Sequence, residues 1–155
     1  MYASITVSQV LRKKGQGFHA IGPAATAYDA LELMAEKNIG ALLVVEDGRL
    51  IGVFSERDYA RKVILRGRSS KNTAVRDLMS GPPISVGLAT TLRDCMVLMT
   101  KNHIRHLPVI EADLLRGVVS IGDVVSAIIS EQDTAIEDLE SYISGNEYTN
   151  KAASS

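Results

Sequence analysis

Two Ser-x-x-Asp motifs carry the clearest chemical potential of this chain. Ser55 and Asp58 form the first, and Ser120 and Asp123 form the second. At a helix start, such a pair has two interpretations. In one it is a capping box, where the hydroxyl and the carboxylate satisfy free backbone N–H groups. In the other, the carboxylate accepts hydrogen bonds from ribose hydroxyls, with a phosphate near the helix N-terminus.

Basic side chains lie close to these motifs or to an apolar strand. Arg57 precedes Asp58, and Arg105 and His106 precede LPVI, which has the composition of a buried strand. A planar guanidinium suits phosphate oxygens, although an exposed arginine beside an acid is ordinarily only solvated. For Arg105 and His106, the alternative is a solvent-exposed strand edge. Residue type alone leaves both interpretations open.

Several other chemistries lack a full set of residues in the sequence. His103-x-x-His106 has the spacing of a metal pair, but no acid or cysteine nearby completes a ligand set, so we expect no metal. Cys95 falls on a predicted apolar helix stripe and is expected in the core, and the basic run at 11–14 is expected to be a solvated helix end. No GxGxxG or GxxxxGK[ST] motif occurs, and no catalytic set indicates an enzyme.

The chain is a tandem repeat with an offset of 65 residues. Residues 20–64 align with residues 85–129 without gaps, and 16 of the 45 pairs are identical. Each repeat has about 60 residues, which is marginal for a core of its own. We therefore expect the two repeats to pack against each other.

Each repeat carries signals for a strand, a helix, two strands and a second helix. Thr-x-x-Asp at 26–29 and at 91–94 indicates helix starts, and each is followed by an apolar stripe at helical spacing. Two apolar strands then flank a turn. Asp-Gly at 47–48 favours a tight hairpin, whereas Ala-Asp at 112–113 leaves the geometry of the second turn open.

The predicted fold class is α/β (α+β), with two β-α-β-β-α repeats packed as a pseudo-twofold pair. Opening strands are expected near 18–22 and 83–87. The expected segments are repeat 1 (5–65), a polar linker (66–73), repeat 2 (74–130) and an acidic helix with a flexible tail (131–155).

Bulk composition is typical of one compact globular chain. The 155 residues are 46% hydrophobic with a net charge of −1, which lacks the basic balance of a nucleic-acid binder. The sequence shows neither an apolar run of about 18 residues nor a signal-peptide core. A single cysteine excludes an intramolecular disulfide and fits a reducing compartment. We expect a cytoplasmic protein with no nucleic-acid or membrane partner.

The sequence resembles the cystathionine-β-synthase (CBS) domain family, in the stand-alone tandem form called a Bateman module. The matching stretches are ATAYDALELMAEKNIGALLVVEDGRLIGVFSERD and TTLRDCMVLMTKNHIRHLPVIEADLLRGVVSIGD. The resemblance covers residues 5–130, and the order of helix, strand pair, Gly and Ser-x-x-Asp occurs twice. It implies a module that binds adenosine-containing ligands in clefts between the repeats, often dimerises and usually regulates rather than catalyses.

The resemblance also implies which residues bind the ligand. Asp58 and Asp123 would bind ribose, basic residues would lie near phosphate, and strand edges and apolar side chains would contact adenine. The candidate ligand contacts are His19, Ala20, Ile21, Ile39, Gly40, Ala41, Ser55, Arg57, Asp58, Ile84, Arg105, His106, Leu107, Pro108, Ser120 and Asp123.

The two repeats place their basic side chains differently. The alignment sets Arg105 and His106 of repeat 2 against Gly40 and Ala41 of repeat 1. Arg57 of repeat 1, in turn, is paired with a glycine of repeat 2. Gly40 and Ala41 would leave room for a base or sugar, so we expect two sites with different preferences.

The sequence thus predicts a non-catalytic, energy-sensing regulatory module. Its regulatory ligand would be AMP, ADP, ATP or NAD(H). A homodimer is expected, and a signal would pass through the dimer or to a protein target in trans. The alternative is a ligand-free protein-interaction module with vestigial clefts. A third hypothesis, an enzyme acting on nucleotides, lacks a catalytic set.

Overall fold

The helix, strand, strand, helix order predicted for each repeat is present twice along the chain. The structure is a computed structural model, and it describes residues 4–15 and 17–153. A π-helical turn at Ala60–Ile64 follows α3, and a 3-10 turn at Val75–Asp77 precedes the second helix–strand pair. The element bounds are α1 Val7–Lys14, β1 Ala20–Ile21, α2 Ala27–Lys37, β2 Ala41–Glu46, β3 Arg49–Ser55, α3 Glu56–Tyr59, α4 Leu92–Asn102, β4 His106–Glu111, β5 Leu114–Ser120 and α5 Ile121–Ala153. The fold class is mixed α/β, as predicted.

The predicted helix starts are confirmed for α2 and α4. Asp29 N donates to Thr26 Oγ1 at 3.1 Å, and Thr26 N donates back to Asp29 Oδ2 at 3.2 Å. Thr91 caps α4 through one such bond, in which Asp94 N donates to Thr91 Oγ1 at 3.2 Å. Both helices end at a residue in the left-handed conformation, Asn38 with φ 53° and His103 with φ 54°. These caps set the direction in which the chain enters the following strand.

The two hairpin turns have the same backbone geometry. Asp47 and Gly48 have φ values of 53° and 79°, the pattern of a two-residue type I′ turn. Ala112 and Asp113 adopt φ values of 51° and 65°, although neither is a glycine. A non-glycine residue costs about 1–2 kcal/mol in this conformation. The pairing of β4 with β5 therefore imposes the tight turn on a sequence that does not favour it.

The described residues form two compact units. The sheet unit contains residues 15, 17–88 and 107–118, and the helix unit contains residues 4–14, 89–106 and 119–153. In the sheet unit, β1 pairs in parallel with β2, and β2 pairs antiparallel with β3. In the helix unit, α1 and α4 both pack against α5.

The segment 70–78 completes repeat 1 rather than only joining the repeats. The carbonyls of Ser70 and Thr73 accept hydrogen bonds from Tyr28 N and Ala27 N, at 3.0 and 2.9 Å. These N–H groups belong to the first turn of α2 and have no partner within the helix. Val75 and Leu78 are fully buried in the apolar cluster formed with α2, β2 and β3.

The segment before α1 plays the same part for repeat 2. Leu92 N, at the start of α4, donates to Ile5 O at 2.9 Å, and Val7 N donates to Thr90 O at 2.8 Å. Val7 is fully buried, and Leu11 is nearly so. The segment that leads into each repeat thus completes the other repeat.

Two expectations differ from the structure. The strand expected near 83–87 is reduced to one parallel bridge between Val86 and Val109. The adjacent Pro82 and Pro83 carry no N–H to donate to a strand ladder. The helix α5 continues to Ala153, through residues that were expected to form a flexible tail. In the described part of the chain, no helix has the length and apolar character of a membrane span.

Candidate functional site

One end of the three-stranded sheet gathers the predicted residues of repeat 1. Ala41 at the start of β2 pairs with Ser55 at the end of β3, and Ala20 in β1 pairs with Leu43 in β2. The first N–H of α3 donates to Gly40 O at 3.0 Å, which ties the start of β2 to the start of α3. The start of β1, the start of β2 and the Ser-x-x-Asp motif therefore share one end of the sheet.

Asp58 is fully engaged by groups of its own unit. Its Oδ2 accepts hydrogen bonds from Ser55 N and Ser55 Oγ, each at 3.0 Å. Its Oδ1 accepts from Ser80 Oγ at 3.1 Å and lies 3.4 Å from Lys62 Nζ. A carboxylate offers about four lone-pair positions; three accept hydrogen bonds here, and the Lys62 ammonium lies beside Oδ1. A ligand hydroxyl would have to displace Ser80 or Lys62.

Asp123 is engaged through one oxygen. Its Oδ2 accepts from Ser120 N at 2.8 Å and from Lys14 Nζ at 2.6 Å. Among the residues that the structure describes, none donates to Oδ1 within hydrogen-bond distance. The side chain is 20% exposed. Asp123 can therefore cap α5 and still accept hydrogen bonds from a ligand.

The environment of Asp123 keeps its carboxyl group ionised. Burial by itself would raise the pKa of Asp123, but hydrogen bonds from Lys14 and Ser120 outweigh burial. The pKa of Asp123 therefore lies below its usual value. An ionised carboxylate is only an acceptor, which is the form that a donating hydroxyl requires.

Arg105 and His106 are exposed at the start of β4, next to the start of α5. Ile121 N donates to Arg105 O at 2.9 Å, the counterpart of the bond to Gly40 O in repeat 1. Both side chains belong to the same unit as Lys14 and Asp123. Repeat 2 thus presents basic side chains and an ionised acid within one unit.

The remaining predicted ligand contacts differ in burial, and the full set is divided unequally between the two units. His19 is exposed, Ile39 is half-buried and Ile84 is 39% exposed. Leu107 is fully buried, and Pro108 is buried and accepts from Val86 N at 2.9 Å. The candidates in the sheet unit are His19, Ala20, Ile21, Ile39, Gly40, Ala41, Ser55, Arg57, Asp58, Ile84, Leu107 and Pro108, and those in the helix unit are Arg105, His106, Ser120 and Asp123.

Lys14 and Ser80 are the functional candidates that sequence reasoning missed. Lys14 lies just before the opening strand of repeat 1 and contacts Asp123 of repeat 2. Ser80 lies just before the segment where the opening strand of repeat 2 was expected, and it contacts Asp58 of repeat 1. The 65-residue offset pairs Lys14 with Met79 and Gly15 with Ser80, so the two contacts come from nearly equivalent positions. Neither contact is local in sequence, and no motif marks it.

Cys95 is buried in α4, as predicted. Burial and the nearby Asp94 raise the pKa of the Cys95 thiol to about 11, so the thiol is protonated at neutral pH and is a poor nucleophile. In the described part of the chain, no group of three or more His, Cys, Asp or Glu residues is arranged to hold a metal ion.

Both repeats are similar to known proteins. The family model of the CBS domain matches residues 5–64 and 75–130. The chain is similar to the mitochondrial CBS domain-containing protein CBSX3 of Arabidopsis thaliana, with 42% identity over 153 residues, 93% of this chain and 74% of that protein. It is similar to the solved CBS domain structure NE2398, with 42% identity, a TM-score of 0.69, and coverage of 80% of this chain and 97% of that chain. It is also similar to CBSX2 in complex with AMP, with 32% identity, a TM-score of 0.67, and coverage of 83% and 98%.

Proposed function

The chain belongs to the CBS domain family, and on that premise we propose that it is a non-catalytic regulatory module that binds an adenine nucleotide. AMP, ADP, ATP and NAD(H) are the ligands that we propose. The similar protein CBSX2 has been solved in complex with AMP, which supports this ligand class.

The observation that carries the proposal is the open oxygen of Asp123. Its carboxylate is ionised and partly exposed, and its capping contacts use Oδ2 alone. The vicinal hydroxyls of a ribose are donors that match an acceptor of this kind. Lys14, Arg105 and His106 belong to the same unit and are suited to phosphate oxygens. A ribose joined to a phosphate is therefore the ligand chemistry that fits this group of residues.

The corresponding site of repeat 1 has open space for a ligand, but its carboxylate has less capacity to accept a hydrogen bond. A Cβ placed on Gly40 would meet no atom within 4 Å, so the start of β2 borders open space. Both oxygens of Asp58, however, already accept hydrogen bonds from the protein, and Oδ1 also pairs with Lys62. We therefore propose Asp123 as the stronger ribose acceptor and Asp58 as the weaker one.

A regulatory ligand must distinguish between two states of the protein, because a ligand with equal affinity for both shifts nothing. Lys14 shares Asp123 with the proposed ribose, so binding acts directly on the contact that joins α1 to α5. We propose that the change is passed on through a homodimer or to a protein target in trans. A cytoplasmic location is part of the same proposal, and the single, buried Cys95 fits a reducing compartment.

The experiment is a thermal-shift panel with AMP, ADP, ATP, NAD(H) and S-adenosylmethionine. The wild-type protein is compared with Asp123→Asn, and Asp29→Asn is the control, because it removes the capping carboxylate of α2, which is outside the proposed ligand contacts. At 100 times Kd, a ligand adds about 2.7 kcal/mol to the free energy of unfolding. We expect at least one adenine nucleotide to raise Tm in the wild type and in Asp29→Asn, and to raise it by much less in Asp123→Asn.

Two other results would contradict the proposal. If no nucleotide raises Tm, the ligand-free interaction module is favoured instead. If a nucleotide is converted to product during incubation, as followed by chromatography, the protein is an enzyme.

A further inference from the structure

Charge is strongly segregated along this chain, although its net charge is only −1. Residues 57–76 contain seven basic residues and one acidic residue. Residues 121–143 contain six acidic residues and no basic residue. Blocks of one sign repel themselves and attract a partner of the opposite sign. The two blocks belong to different units.

The basic block exposes apolar side chains at its centre. We call residues 61–68, on the π-helical turn and the loop after it, the basic edge. Ile64 is 58% exposed and Leu65 is 78% exposed. Arg61, Arg66 and Arg68 are exposed beside them. Two neighbouring, exposed aliphatic side chains among cations have the character of a contact surface rather than of a solvated loop.

The acidic block has the complementary character. We call residues 136–143 of α5 the acidic face. Ile136, Leu139 and Ile143 are 54%, 60% and 50% exposed, and their spacing places them on one side of the helix. The acids at 137, 138 and 140 are also exposed and flank this apolar stripe. A helix with an exposed apolar stripe and acidic flanks is suited to an apolar partner surface with basic flanks.

We propose that the basic edge of one molecule docks on the acidic face of a second copy of this chain. Each surface combines exposed aliphatic side chains with one sign of charge, and the signs are opposite. Exposed ion pairs are weak one at a time, so the contact depends on several pairs formed around buried aliphatic groups. The inference is separate from nucleotide binding and uses none of the proposed ligand contacts.

A second copy accounts for both surfaces at once, which a membrane or a nucleic acid does not. An anionic membrane or a nucleic acid would attract the basic edge, but it would repel the acidic face and leave its apolar stripe exposed. Because the two surfaces differ, the contact is heterologous. Two such contacts can close a twofold pair, and otherwise the contact continues into a ring or a filament.

Charge reversal tests the proposal directly. The basic-edge variant carries Arg61→Glu, Arg66→Glu and Arg68→Glu, and the acidic-face variant carries Glu137→Lys, Asp138→Lys and Glu140→Lys. In each variant both surfaces have the same sign, so we expect its association constant to fall at least tenfold. In an equimolar mixture, each surface meets an opposite charge on the other variant. We therefore expect mixing to restore the weight-average mass, measured by sedimentation equilibrium at low salt.

The control reverses three exposed basic residues outside both surfaces, with Arg49→Glu, Lys101→Glu and Arg116→Glu. It should associate as the wild type does, and circular dichroism should show that every variant is folded. Association of the wild type should weaken as salt is raised to about 0.5 M, where the screening length is only a few ångströms.

The proposal is overturned if either charge-reversed variant keeps the wild-type mass, or if the mixture stays at the mass of its components. It is also overturned if the wild type binds phosphatidylserine vesicles or duplex DNA through the basic edge while it shows no salt-sensitive self-association. An unchanged mass of a variant or of the mixture would indicate that other surfaces hold the assembly together. Binding to vesicles or DNA without self-association would indicate a different partner for the basic edge.

Discussion

At Asp123, the capping and ligand-binding interpretations of a Ser-x-x-Asp motif are compatible. The cap and the ion pair with Lys14 both use Oδ2, so Oδ1 is left for a ligand. At Asp58, the same motif is closed by Ser80 and Lys62. The same four-residue pattern therefore has different chemical availability in the two repeats, because residues distant in sequence decide it.

We expect Asp123→Asn to weaken nucleotide binding more than Asp58→Asn does. A hydrogen bond to a charged group is worth about 1.5–3 kcal/mol, which corresponds to a loss of about 10- to 100-fold in affinity at Asp123. Isothermal titration calorimetry on the folded variants measures the difference. Equal losses at the two positions would contradict the assignment of Asp123 as the stronger acceptor.

The ion pair between Lys14 and Asp123 predicts a pH-dependent effect of Lys14→Met. The folded-state pKa of Asp123 is lowered, so its contribution to stability is present above the unfolded pKa of about 3.9 and is lost as pH falls through the folded pKa. Both side chains are partly exposed, so the pair contributes about 1 kcal/mol or less. Urea unfolding should show that the variant is less stable at pH 7 and that the difference is smaller at pH 3. A difference of the same size at both pH values would show that the effect of Lys14 is packing rather than charge.

At the scale of elements, the second hairpin carries more strain than the first, because only the first has a glycine at its second turn position. Replacing Ala112 and Asp113 by Asp and Gly would copy the turn of repeat 1. Because the native turn holds two non-glycine residues at positive φ, we expect the free energy of unfolding to rise by about 1 kcal/mol. Thermal and urea unfolding would measure the change.

The matched control for this substitution is Gly48→Ala in the first hairpin. Gly48 has φ 79°, and an added Cβ would lie 3.0 Å from Leu114 Cδ2. This variant should be destabilised. If the two substitutions change stability in the same direction, strain at positive φ is not the cause.

Gly52 in β3 lies where the chain has no room for a side chain. An added Cβ would come within 2.6 Å of Ser80 O and 2.7 Å of Met79 Sδ. Gly52→Ala should therefore destabilise the protein by about 1–3 kcal/mol, as overpacked cores do. Gly40→Ala is the comparison, because open space surrounds Gly40, and its Tm should stay close to that of the wild type. Similar losses for both variants would indicate a backbone effect instead of a steric one.

Elements with a local signal were predictable from the sequence, and elements set by distant contacts were not. The caps at Thr26 and Thr91 and the turn at Asp47 and Gly48 follow from residue type. The turn at 112–113 and the single bridge at Val86 depend on pairing with strands elsewhere in the chain. Of the candidate site, the two aspartates were predicted, whereas the partner Lys14, 109 residues from Asp123, has no local signal.

At the scale of the whole molecule, the sequence repeats and the compact units divide the chain differently. The repeats are contiguous in sequence, whereas each unit draws on two or three separate segments. The reason is that the segment leading into each repeat packs with the other repeat. Val75 and Leu78 precede most of repeat 2 but are buried with the core of repeat 1, and Ile5 supplies a carbonyl to the start of α4.

The packing of each leading segment with the other repeat is relevant to how the duplication arose. A single-repeat ancestor of this architecture would have had a leading segment that it could not use itself. Two ancestral chains would have exchanged those segments and formed an intertwined pair, and gene fusion would then have turned an exchange between chains into one within a chain. Two fragments, residues 1–73 and 1–80, test whether the segment that leads into repeat 2 completes repeat 1. By circular dichroism, the longer one should gain secondary structure, since it alone keeps Val75 and Leu78, and equal spectra would show that these residues do not complete repeat 1.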